Sequence, residues 1–473
     1  MPHRLSAGRQ GHPRPARHFP VIASIFGMSC LFAMAAGSAI AGETGPALTP
    51  LKIMANYEAT EIESFVPDPG STPSGYFREI SNASSVWLLE EARLAENVKV
   101  SLGVGGVYFF ILPSKSNQYS IGQRSGFAFT DLHADFEFWK RDGGDHGLLL
   151  KTGVFPFKYN EDAKNLGEYM FRTYTYPTVI FTGGPIKVNS AGAQLSGADL
   201  NTRLGGFAND VLLTVKTDQI PSASLSLTEM LSYNVGGILT VGGGFMFDNF
   251  YDPSQIADGK YDVKDFDYYY TLKDGSRKLK TPQNPTDLPY DPAVDTAVDS
   301  TRLTFKGQKA MLRGSIDFGK LISGSLVPAT LLSEKDLRLY FEGILLGVED
   351  RPFYYSKMQD RIVYSIGFNL PTFRLLDLLS AEWEYCSNPY PNDAGNASLN
   401  LSPTPNPTGK DMNGDNVKWT LYARKQVLPG FAVTGQVAND HMRLVDYFGH
   451  TNDRAVMPER KNWYWSVQLG FSI

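Results

Sequence analysis

Cysteine is nearly absent from this chain of 473 residues, which contains only Cys30 and Cys386. Cys30 lies in an N-terminal segment that has the features of a cleaved leader, so a single cysteine is left in the mature chain. One cysteine forms no intrachain disulfide. For an exported protein of this length, the fold must therefore hold without covalent cross-links.

Long apolar runs, excess basic charge and catalytic motifs are also lacking. After residue 41, no stretch approaches 18 consecutive apolar residues, so we predict no membrane-spanning helix. The same region has 40 basic and 49 acidic residues, which argues against a nucleic-acid partner. There is no G-x-S-x-G or C-x-x-C-H motif, and the histidines show no metal-ligand spacing. We predict no enzyme activity, no cofactor and no metal site.

The N-terminal segment has the order of features found in a secretory signal peptide. It contains four arginines and no acidic residue, followed by a mostly apolar run from Val21 to Ala36. Ala39 and Ala41 then supply small residues at the spacing that a signal peptidase recognises. We therefore predict a signal peptide over residues 1–41 and a mature domain over 42–473. The apolar run is shorter than the ~20 residues that a spanning helix needs.

The last eleven residues, from Trp463 to Ile473, alternate without a break. Every odd position is apolar, and the even positions are Tyr464 or small and polar residues. A period of two is typical of a β-strand whose two faces meet different environments. Aromatic residues at both ends of the apolar face favour a strand of a transmembrane barrel. The predicted lipid-facing residues are Trp463, Trp465, Phe471 and Ile473.

A second stretch, residues 130–139, shows the same alternation with a strongly charged face. Four ionisable side chains on one face of a strand do not fit a dry protein core, so this face must meet water. The apolar face holds Leu132, Ala134, Phe136 and Phe138, and the polar face holds Asp131, His133, Asp135 and Glu137.

Alternating segments continue along the mature chain and predict an all-β fold, a transmembrane antiparallel barrel of about 16 strands within a range of 14 to 18. The gaps between strands are alternately short and long, and we expect long extracellular loops at about 159–182, 250–299, 388–415 and 442–459. The predicted strands are 51–62, 77–93, 98–112, 130–139, 147–158, 193–204, 209–218, 222–234, 237–249, 301–318, 336–348, 360–370, 375–387, 416–426, 431–441 and 461–473.

A barrel of this size encloses water, and its inward charges point to a channel. An antiparallel sheet in lipid must close, because an edge strand would leave backbone groups unpaired in hydrocarbon. Both signs of charge occur on the inferred inner face, which argues against a ring of one sign. The predicted pore-lining or constriction residues are Asp131, His133, Asp135, Glu137, Lys158, Glu161, Lys164, Glu168, Arg172, Arg313, Arg338, Glu342, Glu384 and Arg424.

The long insert 159–182 is the best candidate for functional detail. Asn160 is placed to cap a short helix, with Leu166 and Met170 on one face, and Pro177 would end it. The insert either folds into the barrel and narrows it or forms an external cap, and the sequence leaves both open. In a substrate-specific channel for a sugar or an anion, Tyr169, Tyr174 and Tyr176 would form an aromatic slide. A plugged barrel that acts as a scaffold or surface-binding protein is the further alternative.

Taken together, the leader, the alternating strands and the terminal amphipathic strand resemble Gram-negative outer-membrane porins. Porins commonly end on Phe, whereas Ile473 is last here and Phe471 is third from the end. The resemblance implies passive diffusion of small hydrophilic solutes and, in many members, a homotrimer. It also implies outer-membrane lipid, lipopolysaccharide and the outer-membrane assembly machinery as partners. A soluble sandwich or propeller is the rival, but a propeller would show a repeat of near-constant period.

Overall fold

The structure is a computed structural model of the whole chain. The signal peptide and most of the predicted loops 250–299, 388–415 and 442–459 lie outside the described residues. The described residues are 47–64, 81–111, 124–140, 146–175, 180, 188–196, 200–202, 205–215, 224–251, 268–272, 277–280, 295–297, 306–322, 331–348, 358–387, 392, 416–442, 457 and 460–473.

Sixteen strands form a closed antiparallel barrel, which confirms the predicted fold class and strand number. Each strand pairs with its neighbours in the chain, and the last pairs with the first, so that Met54 lies opposite Ser472. The strands are β1 (Lys52–Ser64), β2 (Ser81–Ala95), β3 (Val98–Ile111), β4 (Arg124–Lys140), β5 (His146–Phe157), β6 (Val188–Ser196), β7 (Gly205–Val215), β8 (Leu225–Val235), β9 (Leu239–Tyr251), β10 (Gly307–Asp317), β11 (Arg338–Leu345), β12 (Ile362–Asn369), β13 (Leu378–Cys386), β14 (Val417–Leu428), β15 (Phe431–Asn439) and β16 (Trp463–Ser472).

Some predicted elements differ from the structure. The strand expected at 130–139 is β4, which begins earlier, at Arg124. The strand expected at 193–204 is β6, which begins earlier, at Val188, and ends at Ser196. The short helix expected in the insert is not formed. Residues 158–175 form turns and bends instead. A five-residue helix, α1 (Phe318–Ile322), follows β10.

Smaller elements decorate the barrel without changing its closure. Short strands at Ala47–Leu48 and Leu200–Thr202 extend the sheet beside β2 and β7. Within the long segment between β9 and β10, the strands Tyr268–Leu272, Arg277–Lys280 and Asp295–Ala297 form a separate three-stranded sheet. No helix among the described residues is long and apolar enough to cross a membrane.

Where the structure describes them, side chains alternate between the outside and the inside of the barrel along the strands, as the period of two requires, except at irregularities such as the register shift where β4 pairs with Gly103 and Val104. On β16, Val467 and Phe471 are 39% and 49% exposed on the outer face, whereas the inward Tyr464 is 3% exposed. Trp463, Trp465 and Ile473 share the outer face with them, on the side that the sequence assigned to lipid. On β4, the four ionisable residues face inward and Phe138 is 57% exposed outside.

Connections alternate between the two ends of the barrel, because consecutive strands run antiparallel. Most short turns fall at one end, where the connection 318–337 is a longer exception. The turn between β8 and β9 shows the local chemistry, since the Asn234 side chain accepts a hydrogen bond from the Gly237 backbone at 2.8 Å. Gly236 and Gly237 both have positive φ, which glycine adopts without steric cost. The connection between β5 and β6 starts at the opposite end, the end of the long loops.

Candidate functional site: an insert held in the barrel interior

The segment that follows β5 turns into the barrel and lies against the inner wall. We call residues 158–175 the lumen insert. Its backbone has no helix because its amide groups bind wall side chains rather than carbonyls one turn back. Gly167 and Glu168 also have φ values of 107° and 57°, in the left-handed region that interrupts a helix.

Glu382 on β13 holds the first part of the lumen insert. Its carboxylate accepts the backbone N–H groups of Lys164 at 2.6 Å and of Asn165 and Leu166 at 2.9 Å each. The hydroxyl of Tyr340 donates to the same carboxylate at 2.7 Å. A buried carboxylate with several donors has its charge compensated locally, and hydrogen bonds to charged groups are among the stronger ones in proteins.

Glu342 on β11 holds the second part in the same way. It accepts the backbone N–H groups of Glu168 and Tyr169, each at 2.9 Å. The Tyr159 hydroxyl donates to it at 2.6 Å and the Asn160 side-chain amide at 3.2 Å. Two wall carboxylates therefore bind five backbone amides of the insert, and they hold the insert against the inner wall.

Lys309 on β10 supplies the opposite chemistry for the return of the chain. Its ammonium group is fully buried and donates to the backbone carbonyls of Met170 at 3.0 Å and Thr173 at 2.7 Å. Asp248 on β9 lies 3.3 Å away and compensates the charge. The wall thus presents carboxylates to the backbone N–H groups of the insert and an ammonium group to its backbone carbonyls.

Glu384 on β13 and two residues that follow β15 add a third set of contacts. Glu384 accepts the Tyr169 hydroxyl and lies 2.5 Å from the Nε2 atom of His441. Asp440 accepts the side-chain amide of Asn165 at 2.6 Å and the Tyr464 hydroxyl at 2.8 Å. The insert therefore runs along the inner wall from β5 to the end of β15.

An apolar cluster lies beneath these polar contacts. Inward methionines on β8, β9 and β10 pack with Met170 and Phe171 of the insert, and the Phe157 and Phe171 rings meet edge to face at 5.4 Å. The burial of this cluster stabilises the insert independently of charge. Its members are Phe155, Phe157, Tyr159, Tyr169, Met170, Phe171, Ile180, Leu212, Met230, Met246, Met311, Ile344, Leu346, Val363 and Cys386.

Burial shifts the pKa of three insert side chains. It raises the pKa of Glu168 to about 8, although the Asn160 backbone N–H and nearby Lys158 act against the shift. It lowers the pKa of Lys164 to about 8, helped by the nearby Lys158 and Lys335. It also lowers the pKa of Arg172, whose guanidinium donates to the Asn165 carbonyl at 3.2 Å.

The predicted site residues of the insert fall into two groups. Glu168 and Arg172 are 1% and 7% exposed, so they stabilise the insert and do not face a solute path, contrary to the expectation. Glu161 has a side chain that is 82% exposed, and Lys158 lies 3.9 Å from it with 22% exposure. Lys164 donates to the Glu161 carbonyl at 2.6 Å. Glu161, Lys158 and Lys164 therefore form the charged surface of the insert.

The predicted wall residues are spread around the interior. On β4, the ring of His133 lies between Asp131 and Asp135, and Lys151 approaches Asp135 to 3.9 Å, while Glu137 is buried further along the strand. On the far side, Arg338 binds Asp162 at 2.8 Å and Asp317 at 2.9 Å. Arg313 lies 5.9 Å from the Tyr159 ring, Arg424 is exposed on the inner face of β14, and Glu342 and Glu384 are buried by the insert.

The alternation of the strands gives no sign that Glu382 and Lys309 bind the insert. Asp440, Asn165 and Asp248 were missed altogether. Their hydrogen bonds between insert and wall join residues 73 to 275 positions apart in the chain, so no local pattern connects them. The signal that could have revealed these contacts is an acidic side chain on the inner face of a barrel that also has a long inserted loop. A buried carboxylate needs hydrogen-bond donors, and the loop can supply them.

No group of three or more acidic, histidine or cysteine side chains among the described residues is placed to hold a metal ion. No family model matches the sequence, and no curated protein matches it. Among solved structures, two engineered variants of the porin from Rhodopseudomonas blastica align over 90% of this chain and 100% of theirs. Their TM-scores are 0.39, with 8% and 6% sequence identity. A likeness this weak decides nothing about function, and the porin-like character of the barrel follows from its own closed 16-stranded topology.

Proposed function

We propose that this chain is an outer-membrane porin, a water-filled channel for passive diffusion of small hydrophilic solutes, narrowed by the lumen insert. The observation that carries the proposal is the fixed position of the insert inside a closed 16-stranded barrel. Barrels of this strand number are wide enough for an aqueous channel. An insert that binds one side of the wall narrows such a channel without filling it.

In the proposed channel, the passage would run between the insert and the wall formed by β16 and β1 to β4. Some inward side chains on this wall, such as Gln468, Glu58 and Asp131, are partly exposed to water. Others on the same wall, such as Thr60, His133 and Tyr464, are buried. Those beneath the insert, such as Glu382 and Lys309, are buried. Solutes would meet Glu161, Lys158 and Lys164 on one side and the acidic strand β4 on the other.

The proposal places the chain in the outer membrane after cleavage of the signal peptide. The exposed apolar belt on the outer face fits contact with lipid and lipopolysaccharide. Assembly machinery would recognise the terminal strand, and a homotrimer is the assembly that the family resemblance implies. The proposal assigns the chain no catalytic role, cofactor or nucleic-acid partner.

Conductance tests this function. The purified, folded protein in planar lipid bilayers should produce stepwise currents in potassium chloride. Replacement of residues 159–175 by a short Gly-Ser connection should raise the single-channel conductance, because the constriction is removed. A matched control shortens the 250–299 loop, which should leave the conductance of the channel unchanged. An intact barrel that never conducts, with or without the insert, contradicts the proposal.

A plugged barrel is the second candidate, because the insert is not alone in the interior. Met457 is fully buried and its carbonyl accepts a hydrogen bond from Lys418, and Asn392 binds both the backbone of Ile180 and the ring of His441. These contacts add bulk beside the insert. In a plugged barrel the unmodified protein would carry no current, and removal of residues 159–175 would create it. The same pair of recordings therefore separates the two candidates.

A further inference from the structure

Glu229 places a carboxylate on the outer face of β8. On this strand Thr228 and Met230 are buried on the inner face. Leu227, Glu229 and Leu231 alternate with them and are exposed on the outer face. The Glu229 carboxylate makes no hydrogen bond or ion pair within the part of the chain that the structure describes. The outer face of β8 therefore carries a charged group that no described residue compensates.

Glu229 also lies near the middle of the apolar belt. It is six residues from Val235, where β8 ends at a short turn. With a rise of ~3.3 Å per residue and a strand tilt of ~40°, this is roughly 15 Å from the turn, in a belt ~25 Å tall. Its neighbours across the sheet are Val211 on β7 and Phe245 on β9. An ionisable side chain at this depth normally faces a cavity or pairs with another polar group, because lipid tails do not solvate it.

A second polar side chain lies beside Glu229 on the same face. Asn209 on β7 pairs with Leu231, one outward row closer to the turn, and such diagonal neighbours lie ~7–8 Å apart. The Asn209 Oδ1 atom has no hydrogen-bond partner among the described residues. Gly243 on β9 pairs with Leu231 on its other side, and a glycine there lets another backbone approach closely. We call the outward residues Asn209, Glu229, Leu231 and Gly243 the polar patch.

We propose that the polar patch is the contact between two copies of this chain in the membrane. A two-fold axis normal to the membrane brings the same patch of both copies face to face. The Glu229 carboxylate of one copy then accepts a hydrogen bond from the Asn209 amide of the other copy, and the symmetry repeats the contact. Polar side chains join membrane segments in this way because lipid tails offer them no partner.

A second copy fits the polar patch better than lipid does. Lipid headgroups lie at the rims of the belt, roughly 12 Å from its middle, and acyl tails have neither donors nor acceptors. The patch carries an accepting carboxylate and an amide that both donates and accepts, so it is complementary to itself. The reciprocal contact gives a dimer, in place of the homotrimer that the family resemblance implies. The inference rests on the membrane location in the proposed function and does not depend on conductance.

Cysteine cross-linking in liposomes tests the contact. Leu231→Cys places a thiol in the polar patch, and the matched control Val467→Cys places one on the outer face of β16. The two native side chains are 38% and 39% exposed. The unmodified protein, whose Cys386 is buried, gives the background. Each full-length protein is folded into liposomes at a low ratio of protein to lipid and treated with a short bismaleimide. Folding of each variant is checked by its heat-dependent shift on gels, and light scattering in detergent measures the mass of the unmodified complex.

We expect covalent dimers from Leu231→Cys and only background from Val467→Cys. In the Leu231→Cys protein, the further change Glu229→Ala should lower the yield of dimer about fivefold, because the polar pair is lost. Glu229→Gln should keep most of the yield, because an amide still pairs with Asn209.

Three results overturn the contact. They are equal cross-linking at positions 231 and 467, a yield that Glu229→Ala does not change, and a complex of one or three copies. If the barrel conducts while any of these is found, the contact fails and the proposed function stands. Failure of every protein, the unmodified one included, to fold into liposomes overturns the contact and the membrane location together.

Discussion

The Oε2 atom of Glu382 lies 2.9 Å from the backbone nitrogen of Leu166, although 216 residues separate the two in the chain. Glu342 makes the equivalent contact with Glu168 across 174 residues. A barrel places inward side chains of distant strands around one interior, so a segment that enters this interior meets partners from the whole chain. The position of the insert is therefore a product of barrel closure, and weakening one wall carboxylate should loosen the insert without opening the sheet.

Glu382→Gln should loosen the first half of the insert. The amide has one accepting oxygen in place of two and adds donors that face the N–H groups of Lys164 and Asn165. Amide hydrogen exchange at 164–166 should become faster, and open-channel current noise should rise, while the barrel keeps its gel shift. Glu161→Gln is the matched control, since that side chain is exposed and holds no amide. Equal exchange rates in the two variants would show that Glu382 does not hold the insert.

Lys309→Met should destabilise the protein by about 3–5 kcal/mol, because Asp248 is then buried without its cation. The double variant Lys309→Met with Asp248→Leu should recover much of this loss, since both charges are removed together. The midpoint of thermal unfolding, followed by heat-dependent gel mobility, measures each effect. If the double variant is as unstable as the sum of the two single variants, the pair is not coupled in the way the geometry indicates.

The barrel was predictable because the sequence of each strand shows by itself which side chains face water and which face apolar surroundings. In β4 and β16, alternate residues meet water and apolar surroundings, and that pattern needs only about ten residues to be recognised. The number of strands followed from repeating this observation along the chain. The ends of β6 were predicted wrongly, because Gly192 and the small residues around it give a weak alternation.

The insert could not be placed from its sequence, because its conformation is set by the wall. Asn160, Leu166 and Met170 have helical spacing, and a helix would be reasonable in isolation. In the barrel, the carboxylates of Glu382 and Glu342 bind the amides that a helix would pair internally. The sequence also suggested that Glu168 and Arg172 face the channel, but packing against strands far away in the chain buries both.

The protection of the insert should depend on pH through Glu168. Its pKa is raised from an ordinary 4.5 to about 8, so the folded insert favours the neutral carboxyl. The stabilisation is complete below about pH 4.5 and is lost as the pH rises towards 8. Hydrogen-exchange protection of the Asn160 amide, corrected for intrinsic rates, should fall over this window. Glu168→Gln should flatten the dependence, because Gln resembles the neutral form, whereas Glu161→Gln should not. A pH profile that is unchanged by Glu168→Gln would contradict the assignment.

The two faces of β16 should respond oppositely to the same new charge. Val467 is 39% exposed on the outer face, and Gln468 points inward beside Glu58. Val467→Asp would place a carboxylate in hydrocarbon, where no water solvates it, so the yield of folded barrel in liposomes should drop severalfold. Gln468→Asp should assemble normally, because the inward face is solvated and already accommodates Glu58. The substitutions are adjacent and identical in chemistry, so a difference in yield reports the facing of the strand alone. Equal yields would mean that the outer face of β16 is not in contact with lipid.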